Sequence, residues 1–123
     1  MKAVVVSGGF GLENLRFEER PDPEPAPGEA VLKMTAVSLN FRDLLMVKGT
    51  YNPRQALPLI PASDGVGRVV SVGPGVTRVA VGDRVCPIFA TGGLAGEPTR
   101  DNLKTTLGGP LDGTLTELMA LNA

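Results

Sequence analysis

Four prolines stand at alternate positions between Arg20 and Gly28: Pro21, Pro23, Pro25 and Pro27. Proline fixes its own φ and has no N–H to donate, so neither a helix nor a central strand can run through this segment. It reads as a rigid surface connector, and its Pro27-Gly28 end marks a turn into the next element. The same punctuation runs through the chain, where 11 prolines and 16 glycines divide 123 residues into short, Val-rich runs. With aromatic residues at only 4%, aliphatic side chains must fill the core. A turn-rich β domain is expected, and the length suits one compact domain spanning residues 1–123.

The runs between the breaks support this. Residues 2–7 read as a strand that leaves through Gly8-Gly9, and Leu15-Arg16-Phe17 continues in extended form. Residues 29–39 alternate in part, which predicts Leu32, Met34 and Ala36 on one face and Lys33 and Thr35 on the other. From Asn40 the period changes. Asn40 can cap a helix, Asp43 falls at its third position, Leu44, Leu45 and Met46 supply apolar surface, and Gly49 can end it. Residues 51–61 form a loop containing Pro53, Pro58 and Pro61. Residues 64–72 read as a strand with glycines at its entry, Gly73-Pro74-Gly75 as a turn, and residues 81–85 as the approach to a further strand. A long Gly-rich connection covers residues 88–113, with a short helix expected at 100–107 and a last strand at 114–121. The class is mainly β with short helices, arranged as a small, partly open barrel.

Composition excludes several functions. Twelve basic residues against thirteen acidic ones leave a net charge of −1, which gives no electrostatic reason to expect nucleic acid or an anionic membrane as a partner. No apolar stretch approaches the roughly 20 residues that span a bilayer. The opening Met1-Lys2-Ala3-Val4-Val5-Val6 is stopped by Ser7-Gly8-Gly9 too early for a signal peptide, so a cytoplasmic protein is expected. There is no histidine, and Cys86 is the only cysteine. A Cys/His zinc site, a disulfide within the chain, and Ser/His/Asp or Cys/His nucleophile machinery are therefore all excluded. Cys86 itself, in Arg84-Val85-Cys86-Pro87-Ile88, reads as a buried core thiol.

No phosphate cradle is present. Gly65-Val66-Gly67 begins like G-x-G-x-x-G but has Val70 in the third glycine's place, and Gly9-Phe10-Gly11 has Asn14 there. Three polar features remain. Asn40-Phe41-Arg42-Asp43 is explained by capping alone, but the same residues at a strand-to-helix junction could line a cleft. There Asn40 would hydrogen-bond a ribose or a carbonyl, and Asp43 would hold Arg42. Pro61-Ala62-Ser63-Asp64 is either a turn into a strand, with Asp64 bonding local backbone, or a second wall of that cleft. Tyr51, the only tyrosine, is either packed beside the prolines or placed to donate to a substrate carbonyl.

Four ordered segments resemble the medium-chain dehydrogenase/reductase superfamily, and specifically its GroES-like N-terminal catalytic domain. They are Met1-Lys2-Ala3-Val4-Val5; Asn40-Phe41-Arg42-Asp43-Leu44-Leu45 with Lys48-Gly49-Thr50-Tyr51; Leu59-Ile60-Pro61-Ala62-Ser63-Asp64-Gly65-Val66-Gly67 running on through Arg68-Val69-Val70-Ser71-Val72-Gly73; and Val81-Gly82-Asp83-Arg84-Val85. The likeness covers essentially the whole chain. Zinc-dependent alcohol dehydrogenases carry a cysteine ligand at the Asn40 position and a His-Glu pair where Ser63 and Asp64 stand. Their structural zinc lobe has four cysteines in the region of residues 88–113, where this chain has none. The resemblance is therefore to the zinc-free, quinone-oxidoreductase-like branch. It implies a GroES-like barrel, truncated before a Rossmann domain, from an enzyme passing hydride from NADPH to a quinone or conjugated enone. It implies Asn40, Asp43 and Tyr51 as catalytic residues, Asn40 and Arg42 at the cofactor, and Phe41, Tyr51 and Ser63 at the substrate. Arg42 stands where alcohol dehydrogenases carry a Thr or Ser proton relay. Alone, the chain is expected to be inactive. The alternative is a non-catalytic GroES-like binding or assembly module, with self-association through the surface that a Rossmann domain would cover.

Overall fold

The computed structural model describes residues 1–123, the whole chain. Its elements are β1 Lys2–Val6, β2 Leu15–Glu19, β3 Glu29–Ser38, α1 Phe41–Lys48, β4 Asp64–Val72, β5 Arg84–Val85, α2 Arg100–Leu103 and β6 Leu118–Asn122. Every strand pairing is antiparallel. β1 and β2 form a ribbon, and the other four strands form a sheet in the order β5-β4-β3-β6. The ribbon joins the sheet along the stretch that leads into β6. Ala3 bridges Thr116, the Val4 N–H donates to the Leu115 carbonyl at 3.0 Å, and the Glu117 N–H donates to the Lys2 carbonyl at 3.0 Å. The result is a sheet that curls without closing, a partly open barrel, as expected.

The proline segment does what its chemistry requires. Residues 20–26 have no regular structure, and Gly28 turns the chain into β3 with φ +80°.

The alternation expected along β3 fails in its second half. Between Met34 and Ala36 the register against β4 shifts, leaving Thr35 without an opposite residue. One extra residue reverses the parity of everything after it. Leu32 is buried and Met34 half-buried, but Ala36 is exposed and Val37 is half-buried in its place. β6 starts at Leu118 rather than at residue 114, because the preceding backbone is committed elsewhere. The Thr114 N–H donates to the Ala62 carbonyl and the Leu115 N–H to that of Pro61. α2 ends at Leu103, short of residue 107. The Thr105 hydroxyl turns back onto the Asn102 carbonyl at 2.6 Å, a bond that competes with helix continuation.

Cys86 is exposed, which corrects the expected buried thiol. β5 is two residues long and pairs with β4 only at Gly67 and Arg68, so the chain leaves the sheet edge before Cys86 can be covered.

The core has three buried groups: Ala30, Leu32, Val69, Leu107 and Met119; Val6, Met46, Val47 and Leu59; and Ala3, Val5 and Ile60. The second seats α1 against β1 and so fixes the direction of the helix N-terminus. No helix is long and apolar enough to cross a membrane.

Candidate active site

The α1 segment explains its own geometry. Asp43, Met46 and Val47 lie three and four residues apart on one helix face, and all three are buried. Met46 and Val47 belong to the core. Asp43, 6% exposed on the same face, cannot reach water and turns back instead, accepting the Asn40 backbone N–H on Oδ2 at 2.8 Å. Its Oδ1 is buried without a hydrogen-bond partner. Asn40 is the N-cap, and Gly49 ends the helix in the left-handed region with φ +77°. A Cβ at Gly49 would also lie 2.5 Å from the Phe10 ring, so both the turn and the packing require glycine.

Two of the expected site residues, Asn40 and Ser63, meet at Asp64. The Asn40 side-chain amide donates to Asp64 Oδ2, and the hydroxyl of buried Ser63 reaches the same oxygen at 3.3 Å. The Asp64 backbone is held in turn, its carbonyl accepting the Thr114 hydroxyl at 3.0 Å. The β3–α1 junction and the start of β4 therefore form two walls of one cluster. Asp64 is its hub. The sequence leaves its segment open between a turn and a second wall of the cleft, and does not show that Ser38 pairs with Asp64 and Val37 with Gly65 across β3 and β4, which carries Asp64 to the foot of α1.

Arg42 lies apart from Asp43. Neighbouring positions on a helix point about 100° apart, so Asp43 faces the core while Arg42 faces the loop after α2. Its Nη1 donates to the Leu107 carbonyl at 3.1 Å and its Nη2 to that of Gly109 at 2.6 Å. The guanidinium lies 4.9 Å from the centroids of both the Tyr51 and the Phe89 rings. This corrects the expectation that Asp43 holds Arg42: the loop carbonyls and the two rings do so. Phe89 was not anticipated. Tyr51 is 54% exposed and lies against Arg42, and Phe41 is 74% exposed, as is Leu39 on the other side of Asn40.

The two cavities of about 300 Å³ lie elsewhere and share no residue with this cluster. One, lined by Leu32, Val69, Val85, Cys86, Ile88 and Leu121 among others, opens beside the last strand. Asn40 and Asp64 are exposed, and the exposed apolar side chains of Leu39 and Phe41 flank the cluster.

A partly open antiparallel barrel carrying a polar, half-built site on its β3–α1 junction defines the class: a GroES-like domain. Residues 26–123 match the alcohol dehydrogenase GroES-like domain family, and the chain belongs to that family, the N-terminal domain of the medium-chain dehydrogenase/reductases. It is 40% identical over 114 residues, 92% of its length, to a zinc-type alcohol dehydrogenase-like protein of Schizosaccharomyces pombe, of which it covers 33%. It is 39% identical over 101 residues, 77% of its length, to a chloroplastic quinone oxidoreductase of Triphysaria versicolor, of which it covers 31%. The crystal structure of an NAD-dependent alcohol dehydrogenase superposes on 99% of the chain with a TM-score of 0.80 at 34% identity, the match taking in 37% of that protein. The chain spans about a third of the length of the relatives it matches.

Proposed function

We propose that this chain is the substrate-side domain of a zinc-independent, NADPH-dependent oxidoreductase that reduces quinones or conjugated enones, working in the cytoplasm together with a Rossmann domain and inactive without one. The observation that carries the reading is the donor set at the foot of α1. Where the superfamily's zinc enzymes place thiolate and imidazole, this chain has an amide, a hydroxyl and a single carboxylate, already hydrogen-bonded to one another. No group of three metal-ligating side chains occurs anywhere in the structure, and the chain has no histidine and one cysteine. These residues do not fit zinc. The name of the fission-yeast relative points the other way and that of the Triphysaria relative points to quinones; the donor set of this chain agrees with the second.

A nicotinamide cofactor fits in part. Neither helix follows a glycine fingerprint, so the pyrophosphate would be held by the Rossmann domain, and Asn40 and Arg42 would meet the nicotinamide-ribose end. Bound NADPH would supply the hydride. The chain's own work is positioning and polarisation. Asn40 would hydrogen-bond the cofactor, with Asp43 fixing its backbone. Tyr51, held against Arg42, would donate its phenolic proton as a hydrogen bond to the substrate carbonyl. Phe41 would give the flat substrate an apolar wall, with Ser63 holding the far side of the cluster.

The exposed Leu39 and Phe41 also favour the second reading, a non-catalytic module that self-associates through this face. One comparison separates the two. NADPH binding is measured calorimetrically on this chain and on the chain extended by its downstream sequence. The proposal expects no low-micromolar binding by the first, and binding with quinone or enone reduction by the second. A defined oligomer of an extended protein that neither binds nor reduces would establish the module instead.

A further inference from the structure

We propose that Asp64 is a positioning residue that fixes the orientation of the Asn40 side-chain amide at the ligand site. The proposal rests on the reading of this cluster as the ligand site. Asn40 has three donor hydrogens near the cleft, one on its backbone and two on its amide. The backbone N–H is taken by Asp43 Oδ2 at 2.8 Å, and the amide nitrogen faces Asp64 Oδ2. A carboxylate accepts only, so the group of Asn40 that meets Asp64 must be its NH₂. The amide carbonyl is thereby turned toward the N-terminus of α1, where Asn40 and Asp43 form a capping box, and the second amide hydrogen is left for a ligand acceptor. Ser63, donating to the same Asp64 oxygen at 3.3 Å, and Thr114, bonded to the Asp64 carbonyl at 3.0 Å, hold the carboxylate in place.

Two measurements test this. In the chain itself, the Asn40 side-chain amide is assigned by nuclear magnetic resonance from its loss in Asn40→Leu. Its resonances should sit at free-amide positions in Asp64→Leu; identical resonances in wild type and Asp64→Leu would overturn the geometry whatever the protein's function. In the protein extended by its downstream sequence, with NADPH as probe, Asp64→Leu should raise KM for NADPH by about tenfold, as loss of a charge-assisted hydrogen bond would, with a smaller change in kcat. Asp64→Glu should restore part of it. In an Asn40→Leu background, Asp64→Leu should add little. An equal, additive loss there would show that Asp64 acts independently of Asn40 and end the proposal. Failure of the extended protein to bind NADPH would instead remove the functional reading and leave the amide geometry to the first measurement.

Discussion

The guanidinium of Arg42 lies 4.9 Å from the centre of the Tyr51 ring while donating to the Leu107 and Gly109 carbonyls. One side chain on the helix thereby ties the tyrosine to the loop that follows α2. Arg42→Ala should lower stability by about 2 kcal/mol, the scale of charged hydrogen bonds lost to buried carbonyls. Arg42→Lys should recover less than half, because an ammonium presents its donors from a single nitrogen and cannot stack as a plane. Urea denaturation measures both. Hydrogen exchange should show faster opening at residues 105–111 in each variant.

Gly67 tests the β3 bulge. A Cβ at this position would lie 2.7 Å from the Lys33 carbonyl and 3.1 Å from the Met34 sulfur. The sulfur can yield, but the carbonyl belongs to the paired strand. Gly67→Ala should therefore cost more than about 2 kcal/mol, at the overpacking end of core substitutions. Gly75→Ala, where no atom lies within 4 Å but φ is +81°, should cost about 1 kcal/mol through backbone strain alone. Thermal unfolding of the two variants side by side gives the comparison.

The Met1 amine supplies a pH-dependent contribution. It donates to Asp22 Oδ1 at 2.7 Å and to the Arg20 carbonyl at 2.8 Å, and the bond to Asp22 holds its pKa above the usual 8.0. A raised pKa in the folded state means stability that is fully present below pH 8 and lost as the pH rises through the folded value. Stability measured from pH 7 to pH 10 should fall across that window. In Asp22→Asn the fall should be smaller; an unchanged profile would assign it to other groups.

The parts of the fold governed by local chemistry were legible in the sequence. Asp64–Val72 reads as a strand because glycines and a Gly-Pro-Gly turn bracket a Val-rich run, and the structure places β4 there. Asn40 and Gly49 bound α1 through capping and left-handed geometry, both properties of single residues. What escaped depends on distant partners. The parity of β3 reverses at Thr35 because of its pairing with β4. Cys86 is exposed because β5 lies at a sheet edge. Arg42 finds carbonyls 65 and 67 residues away, which no local pattern encodes. The Asn40–Asp64 bond spans 24 residues, and it became visible only once β3 and β4 were in register.

Reduction by NADPH without zinc is tested most directly by metal analysis coupled to activity. The chain extended by its downstream sequence is purified, dialysed against a chelator, and assayed for NADPH oxidation with a quinone while its metal content is measured. The account predicts well under one zinc per chain and undiminished reduction after chelation. Stoichiometric zinc whose removal abolishes activity would contradict it.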